Sequence, residues 1–339
     1  MKALIFGAGG AGDCISAIIA MNYYKKLGYE TLLGSIIWER YVIDPVPGPI
    51  NFEDLSDADK FNECIYLLNE KSYAIRAGQI IIPTLVKVIK TLKIENGVAL
   101  NNKLGPNHLA LCIKEFAEKE NMDLIIGVDA GGDILARGDE DSLVSPLVDA
   151  ISLATMLKLK QYGFNVIIGV IGCGSDGEIT YEDFLKRISE IAKIGGLIDI
   201  KGYDIETAAM VKNVLLKAES EASKIPLDAF LGYYGEIEIR KKTKKVFVTP
   251  ASSVMFFLDP MKVASINILA EVIKDANSLE EANSLLNKMG IYTEYDFERD
   301  AFKKYGIDVK NIDGETFLKI RSEGKLSLIH ISEPTRLLS

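Results

Sequence analysis

The chain has 339 residues, of which 48% are hydrophobic and 26% charged, and its formal net charge is −9. It is long enough for one large α/β domain or two smaller ones, and its acidic balance argues against nucleic acid as a partner. No apolar run approaches the ~18 residues of a membrane span, and the first residues lead into a predicted strand rather than a signal peptide. The four cysteines share no spacing typical of a disulfide or metal site, so we expect a cytoplasmic protein.

Short apolar runs alternate with helical patterns over the first 202 residues. Strands are predicted at residues 2–6, 30–37, 64–68, 80–82, 97–100, 124–128 and 165–171, and helices at 14–27, 84–92, 107–120, 144–162 and 181–193. Continuous apolar strands that alternate with helices are typical of a parallel sheet covered on both faces. We therefore predict an α/β fold with a doubly wound, mostly parallel, Rossmann-like sheet.

The pattern changes after residue 202. It predicts a helix at 205–223, a small antiparallel hairpin from 235–240 and 244–248, and helices that begin at 250, 279 and 297. The basic run 240–245 is then an exposed hairpin turn. No linker separates the parts, so residues 1–325 are predicted to form one domain. Its core spans 1–202, and the hairpin and a helical C-terminal extension occupy 203–325.

The last segment breaks the pattern of the chain. From Leu326 to Arg336 it resembles an in-frame translation of a transposon-type sequencing-library adapter. We therefore expect residues 326–339 to be a non-native tail, with the native C-terminus lying beyond Lys325. The alternative is a native strand and tail, and sequencing the gene across codon 325 distinguishes the two.

Three loops rich in glycine and acid each follow a strand and precede a helix, at residues 7–13, 127–142 and 172–178. Parallel strands place such loops at one edge of the sheet, their carboxyl ends, where open α/β folds bind ligands. We therefore expect the three loops to meet in one crevice.

The first loop carries four glycines: Gly7, Gly9, Gly10 and Gly12. They approximate the Gly-x-Gly-x-x-Gly fingerprint, whose amides and helix dipole hold an anion such as phosphate. Asp13, however, lies where a phosphate would approach. The acid expected at the end of the second strand would have to be Glu39, which comes late in the sequence. A tight turn in which Asp13 caps the helix is an equal alternative.

The second loop is the richest in carboxylates. Asp129 and Asp133 flank Gly131 and Gly132, so a backbone turn could bring both carboxylates into one small volume. Such a pair suits Mg²⁺, sugar hydroxyls or an acid–base couple, and we predict catalytic or metal-binding roles for both. Arg137 is a predicted clamp for a phosphate or carboxylate.

The third loop contributes Gly172, Gly174 and Ser175 as predicted ligand-binding residues. Cys173 lies near a helix start, where a thiol can become a nucleophile, although most free cysteines are small buried hydrophobes. Two residues outside the loops are further candidates. His108 could act as a general base or stand near a helix cap, and Arg76 is a second predicted phosphate clamp.

Several segments together resemble an uncharacterised family found largely in archaea, domain-of-unknown-function family 1152. The similar segments are 7–13, 38–49, 76–78, 105–108, 127–142 and 249–253, so the resemblance extends over most of the chain. The family carries no established reaction, and the resemblance therefore implies no catalytic role for any residue.

Three functions remain open on the sequence. The first is a transferase or hydrolase for a nucleotide, nucleoside or phosphorylated sugar, with Mg²⁺ or a nucleotide as cofactor. The second is an NAD(P)- or FAD-dependent oxidoreductase, which Asp13 and the late Glu39 argue against. The third is a non-catalytic ligand-binding or assembly protein, such as a homo-oligomer, with the proline-rich connector 38–49 as its interface.

Overall fold

The structure, a computed structural model, describes residues 1–10 and 12–332. The strands are β1 (Lys2–Gly7), β2 (Glu30–Ile36), β3 (Leu55–Lys60), β4 (Ile65–Arg76), β5 (Gln79–Ile81), β6 (Gly97–Leu100), β7 (Leu124–Ala130), β8 (Val166–Ile171), β9 (Leu197–Gly202), β10 (Gly235–Ile239), β11 (Lys244–Val248) and β12 (Val254–Leu258). The helices are α1 (Asp13–Lys26), α2 (Thr84–Leu92), α3 (Gly105–Glu120), α4 (Pro146–Gln161), α5 (Tyr181–Lys193), α6 (Ile205–Leu215), α7 (Glu221–Phe230), α8 (Pro260–Ala264), α9 (Ile268–Ile273), α10 (Leu279–Lys288), α11 (Glu294–Tyr305) and α12 (Gly314–Ser332).

Ten strands form one sheet in the order β3-β4-β6-β2-β1-β7-β8-β12-β9, with β5 paired to β4. The central strands β6, β2, β1, β7 and β8 are parallel to one another. The outer strands pair antiparallel. The predicted mostly parallel sheet is thus confirmed, and so is the separate antiparallel hairpin of β10 and β11.

Helices cover both faces of the central strands, which explains why these strands are largely apolar. In β1, Leu4 and Phe6 belong to the core under α3 and α4, whereas Ala3 and Ile5 belong to the core under α1. Because side chains alternate along a strand, each central strand contributes to both cores. Each fully buried aliphatic or aromatic side chain contributes about 1.5–3 kcal/mol to this assembly.

Three strands are absent from the sequence prediction: β3, β9 and β12. A helix was predicted from residue 250, but the structure has one 3₁₀ turn, Pro250–Ser253, followed by β12. That prediction was wrong because the apolar run of β12 is buried between β8 and β9. The core sheet therefore draws a strand from beyond residue 202.

The helix predicted at 205–223 is two helices, α6 and α7. Residues 216–220 separate them, and the Ser220 side chain accepts a hydrogen bond from the amide of Ser223 at the start of α7. A serine in this position satisfies one of the unpaired amides of a helix start, which sets a boundary inside an otherwise helical pattern.

The connector 38–49, α11 and α12 form a cover over the carboxyl end of β2. Trp38 Nε1 donates a hydrogen bond to Glu298 of α11 at 2.9 Å. Tyr41 packs edge-on against Phe297, and Phe317 of α12 completes this aromatic cluster. We call the connector, α11 and α12 together the cover.

Within the described residues, no helix has the length and apolar character needed to cross a bilayer. Helix α12 continues past Lys325 into the segment predicted to be non-native. Residues 333–339 of that segment lie outside the described residues.

Candidate functional site

The three loops rich in glycine and acid meet at one edge of the sheet, as predicted. They follow β1, β7 and β8, which are neighbours in the sheet. The Ala8 amide donates to the Val128 carbonyl at 2.7 Å, and the Gly174 amide donates to the Gly131 carbonyl at 2.8 Å. The chain continues from β1 to β2 on one side of the sheet, and β7 is later added on the other side of β1. The loops therefore lie at the topological switch point of the sheet.

Asp13, Asp129 and Asp149 form the centre of this edge. Asp13 begins α1, Asp129 lies near the end of β7, and Asp149 lies in the first turn of α4. One carboxylate oxygen of each lies within 4.8 Å of the other two. The three residues are only 8%, 0% and 1% exposed. We call them the aspartate triad; three ionised carboxylates in such a small, dry volume repel one another.

Protein partners satisfy the triad only in part. Asp13 Oδ2 accepts a hydrogen bond from the Gly9 amide at 2.7 Å, and Asp129 Oδ2 accepts one from the Ile134 amide at 3.3 Å. Among the described residues, Asp129 Oδ1 and Asp149 Oδ1 are buried without a hydrogen-bond partner. Because buried polar atoms are nearly always bonded, these oxygens indicate a bound proton, water or cation.

Burial is the main reason why the triad carboxyls have raised pKa values. It raises the pKa of Asp13 to about 7. For Asp129, burial and then the charge of Asp13 raise the pKa well above its usual value, and burial and then the charge of Asp129 do the same for Asp149. A divalent cation would remove the repulsion and ionise all three groups.

Asp133, Asp176 and Glu178 form a second carboxylate group, with one oxygen of each within 4.8 Å of the others. This group has counter-charges of its own: Arg240 Nη2 lies 2.6 Å from Glu178 Oε1, and Lys244 Nζ donates to the neighbouring Gly177 carbonyl. Burial alone would raise the pKa of Glu178, but the charges of Arg240 and Lys244 outweigh burial and lower it to about 2. Glu178 is therefore ionised and paired.

Two glycines make room for these carboxylates. A Cβ atom on Gly9 would lie 2.7 Å from Asp13 Oδ2 and 2.8 Å from Asp149 Oδ2. On Gly131, whose φ is +131°, a Cβ would lie 2.3 Å from Asp176 Cγ. Larger residues at either position would displace carboxyl groups, so the glycines shape the acidic site.

A pocket reaches Gly9 from the surface and encloses about 60 Å³. Its lining combines arginines with aromatic side chains: Arg40, Arg240, Arg321, Trp38, Tyr41 and Phe317. Because Gly9 also borders Asp13 and Asp149, the pocket leads to the aspartate triad. The cover forms its aromatic wall.

Glu294 joins the cover to the site. Its carboxylate accepts hydrogen bonds from the amides of Val148 at 2.8 Å and Leu147 at 3.2 Å, at the start of α4. Burial raises the pKa of Glu294 to about 7, although these amides oppose the shift. The first turn of α4 thus receives a carboxyl group from α11 and also carries Asp149.

Two acidic residues of the site, Asp149 and Glu294, are absent from the sequence prediction, whereas Asp176 and Glu178 lie in the predicted third loop without an assigned role. Asp149 had a detectable signal, because it is an acid within a helix that is otherwise apolar or small from residue 147 to 157. Because apolar or small residues occupy every face of this helix, the acid is expected to be buried whichever face packs against the core. Glu294 had no such signal, since it looks like an ordinary acid in the first turn of a helix.

In the first loop, one of the amides predicted to bind phosphate is already bonded within the chain. The Gly9 amide donates to the Asp13 carboxylate, and Gly12 rather than Asp13 occupies the N-cap position of α1. A Cβ atom on Gly7 would meet the backbone of Cys14, and one on Gly10 would lie 3.1 Å from the Trp38 carbonyl. The Gly9 amide therefore positions a carboxylate, and phosphate binding by this loop stays a prediction.

Glu39 is the acid that would have to bind the ribose hydroxyls in a dinucleotide-binding fold. Its carboxylate is also hydrogen-bonded within the chain. It accepts hydrogen bonds from the Thr84 amide at 2.6 Å and the Thr84 hydroxyl at 2.8 Å. Glu39 thereby caps α2, which is a structural role.

The structure places the two predicted arginine clamps elsewhere. All five N–H groups of Arg76 are bonded within the chain, to Asp44 and the carbonyls of Val46, Gly48 and Pro49 in the connector, and to Asp54 beyond it. Arg137 pairs with Glu190 of α5. Neither side chain lines the pocket. Carboxylates of the chain itself bind both guanidinium groups.

The remaining predicted residues divide between the site and its surroundings. His108 lies outside the pocket, with its Nε2 2.5 Å from Glu63 Oε2. Ser175 is buried and donates to the Ala222 carbonyl. Gly132, Gly172 and Gly174 adopt positive φ angles and shape the second and third loops. Asp133 lies in the second carboxylate group, and not in the aspartate triad with Asp129.

The fold and the site together define a doubly wound α/β protein with a buried acidic site at the switch point of its sheet. The chain belongs to the family described as "Protein of unknown function (DUF1152)", whose model matches residues 4–302. The match includes all six carboxylates of the two groups. Neither a search of curated proteins nor a search of solved structures gives a match.

Proposed function

We propose that this protein is a divalent-metal-dependent transferase or hydrolase that acts on a nucleotide, nucleoside or phosphorylated sugar. The observation that carries the proposal is the aspartate triad, which has two buried oxygens that are unpartnered among the described residues. Asp13 and Asp149 of the triad lie beside Gly9, and Gly9 lines a pocket that also contains three arginines. Mg²⁺ and Mn²⁺ favour carboxylate oxygens, and the triad supplies three such ligands. The metal would bind phosphate oxygens and activate water or a substrate hydroxyl.

Arg321 supports an anionic substrate. Its guanidinium donates only to the carbonyls of Leu143, Val144 and Tyr292 among the described residues, so no carboxylate contact cancels its charge. Burial lowers its pKa to about 10, which still leaves it cationic at neutral pH. Arg40, which is exposed at the same pocket, adds a second positive charge. These arginines replace the amides of the first loop as the proposed phosphate ligands.

We assign the general acid–base role to Asp133. It is buried beside the triad, and burial followed by the charge of Asp149 raises its pKa well above the usual value. A buried carboxyl whose pKa is raised in this way can donate a proton to a leaving group and take it back from water. Asp129 then serves as a metal ligand rather than as a second acid.

The aromatic wall and the small volume of the pocket restrict the entry of a substrate. Small-molecule sites usually enclose about 300–1,000 Å³, whereas this pocket encloses about 60 Å³. A nucleotide or sugar phosphate therefore enters only after the cover moves away from α4. Tyr41 and Phe317 would then flank its base or sugar ring.

Two observations make a dinucleotide oxidoreductase less favourable: the Gly9 amide and Glu39 are both occupied by side chains of the chain itself. The assembly hypothesis is also weaker, because the connector packs on α11 instead of presenting a free surface. We propose that the enzyme is cytoplasmic, a compartment in which its four cysteines stay reduced.

The test is Mn²⁺ binding measured by calorimetry, followed by thermal-shift screening of nucleotides and sugar phosphates with and without the metal. The wild-type protein should bind Mn²⁺ at the triad, and Asp129→Asn and Asp149→Asn should each weaken binding about 100-fold or more, or about 2.7 kcal/mol. Asp139→Asn, which changes an exposed acid in the same loop, is the matched control.

A substrate of the proposed class should stabilise the protein only when metal is present. Stabilisation by NAD(H), NADP(H) or FAD without metal would instead support the oxidoreductase. Equal Mn²⁺ affinity in the wild-type and both triad variants would refute a metal site at the triad.

A further inference from the structure

Outside the acidic crevice, the structure brings Cys64, His108 and Cys112 together. One ligand atom of each side chain lies within 4.8 Å of the other two. His108 and Cys112 are four residues apart in α3, so their side chains share one face of that helix. Cys64 immediately precedes β4 and meets this face because β4 pairs with β6, the strand before α3.

The fold positions these residues without the help of a metal. Asn62 Oδ1 accepts hydrogen bonds from the amides of Cys64 at 3.1 Å and Ile65 at 2.9 Å. The Asn62 side-chain amide also donates to the Cys112 carbonyl at 3.1 Å. One side chain thus ties the turn that carries Cys64 to the helix that carries Cys112. Such preorganisation reduces the ordering cost of binding a ligand.

The cluster combines a buried floor with an open side. Cys64 and Cys112 are 0% and 6% exposed, whereas the His108 side chain is 41% exposed. An open groove beside them is also lined by Lys60, Phe61 and Leu111. A metal ion held by the two sulfurs and the imidazole would therefore keep one coordination position accessible to solvent.

Two neighbouring contacts favour metal binding at these atoms. Glu63 Oε2 lies 2.5 Å from Nε2 of His108, and a carboxylate on one ring nitrogen orients the other toward a metal and strengthens it as a ligand. The Cys64 and Cys112 thiols also hydrogen-bond to each other, which holds the two sulfurs side by side.

We propose that Cys64, Cys112 and His108 bind a Zn²⁺ ion, with water in the fourth position of a tetrahedral site. Two sulfurs and one imidazole form a ligand set that zinc uses at sites with an open coordination position, whereas Mg²⁺ and Mn²⁺ favour oxygen. Both thiols lose their protons to solvent when the metal binds. This zinc site is independent of the carboxylate site proposed above.

The test is titration of the reduced, metal-free full-length protein with Co²⁺, followed by displacement with Zn²⁺. One equivalent of Co²⁺ should produce a sulfur-to-cobalt charge-transfer band and the intense visible bands of tetrahedral cobalt, and Zn²⁺ should abolish both. Cys112→Ser should remove about half of the charge-transfer intensity, because one of two sulfur ligands is lost. His108→Gln, at a half-exposed position that tolerates change, should weaken Zn²⁺ binding about tenfold or more.

Cys173→Ser is the matched control, because Cys173 is a buried thiol outside the cluster whose Sγ donates to the Ala251 carbonyl. It should keep the full cobalt spectrum, and Mg²⁺ should not displace the ion. A wild-type protein without the charge-transfer band, or a band of equal strength in Cys112→Ser, would overturn the proposal. A Cys64–Cys112 disulfide in protein purified without reductant, with no zinc bound by the reduced form, would overturn it as well.

Discussion

The carboxyl of Asp149 shows how one residue can favour function at the expense of stability. It is 1% exposed, and its Oδ1 has no partner within the described residues. Its nearest charged neighbours include Asp129 and Asp13, and all three are acidic. Stability alone would favour a neutral side chain at this position, because a buried charge without an opposite partner is costly.

We therefore expect Asp149→Asn to raise the free energy of unfolding of the metal-free protein at neutral pH by about 1 kcal/mol or more. The amide has the same shape, carries no charge and can donate to the unpartnered Asp129 Oδ1. Urea unfolding in a chelator measures the effect. Asp139→Asn should change the free energy by less than about 0.5 kcal/mol, because Asp139 is exposed. A destabilised Asp149→Asn protein would show that Asp149 has a structural role.

Single residues also show the limit of sequence reasoning. Asp129 and Asp133 could be predicted, because acids beside glycines after a buried strand have few structural uses. Arg76 could not be placed correctly, since its partners Asp44 and Asp54 become neighbours only when the connector folds back on β4. An arginine motif indicates an anion, but it does not show whether that anion is a ligand or another part of the chain.

At the scale of elements, the cover depends on a small number of buried polar contacts. Glu298 of α11 accepts hydrogen bonds from Trp38 Nε1 and the Gly48 amide, both at 2.9 Å. Burial raises the pKa of Glu298 to about 8, so the group is largely neutral in solution near pH 7. These contacts hold the connector against α11, at the side of the pocket where a substrate would enter.

Trp38→Phe removes the indole N–H while keeping an aromatic ring. We expect it to lower the free energy of unfolding by about 1–3 kcal/mol, because a buried hydrogen bond is lost and the smaller ring leaves space. Urea unfolding measures the loss. Tyr295→Phe is the control on the helix that carries Glu298, since among the described residues the Tyr295 hydroxyl bonds only to Glu280 at the exposed surface. If both variants unfolded alike, the Trp38 contact would not anchor the cover.

The elements that the sequence predicted well are those with a strong local pattern. β1, β7 and β8 are short apolar runs buried on both faces, and each was predicted at nearly its observed position. β3 and β9 lie at the edges of the sheet and have no fully buried residue, so neither shows the continuous apolar run of a buried strand. β12 was missed for a different reason: its place between β8 and β9 depends on a long-range pairing that no local pattern encodes.

At the scale of the whole molecule, the buried acids couple stability to pH and metal. Burial raises the pKa of Asp13 to about 7, of Asp176 to about 6 and of Glu294 to about 7. In the unfolded chain these groups titrate near 3.8 for aspartate and 4.5 for glutamate. The folded state therefore binds more protons than the unfolded state between these values. The stability that protonation provides is complete below about pH 4 and is lost as pH rises through the folded pKa values.

The metal-free protein should thus become less stable from about pH 5 to about pH 8, by at most ~1.4 kcal/mol per pH unit for each such carboxyl. Salt-bridged acids such as Glu178, whose pKa is lowered to about 2, do not titrate in this range and do not oppose the trend. With saturating Mn²⁺ the sign should reverse, because the metal binds the deprotonated triad and its affinity grows as protons leave. Urea unfolding across this range, with a chelator or with Mn²⁺, measures both slopes. A chelator slope that is flat or rises with pH would contradict the buried acidic site, whereas a falling slope that Mn²⁺ leaves unchanged would contradict only its use as a metal site.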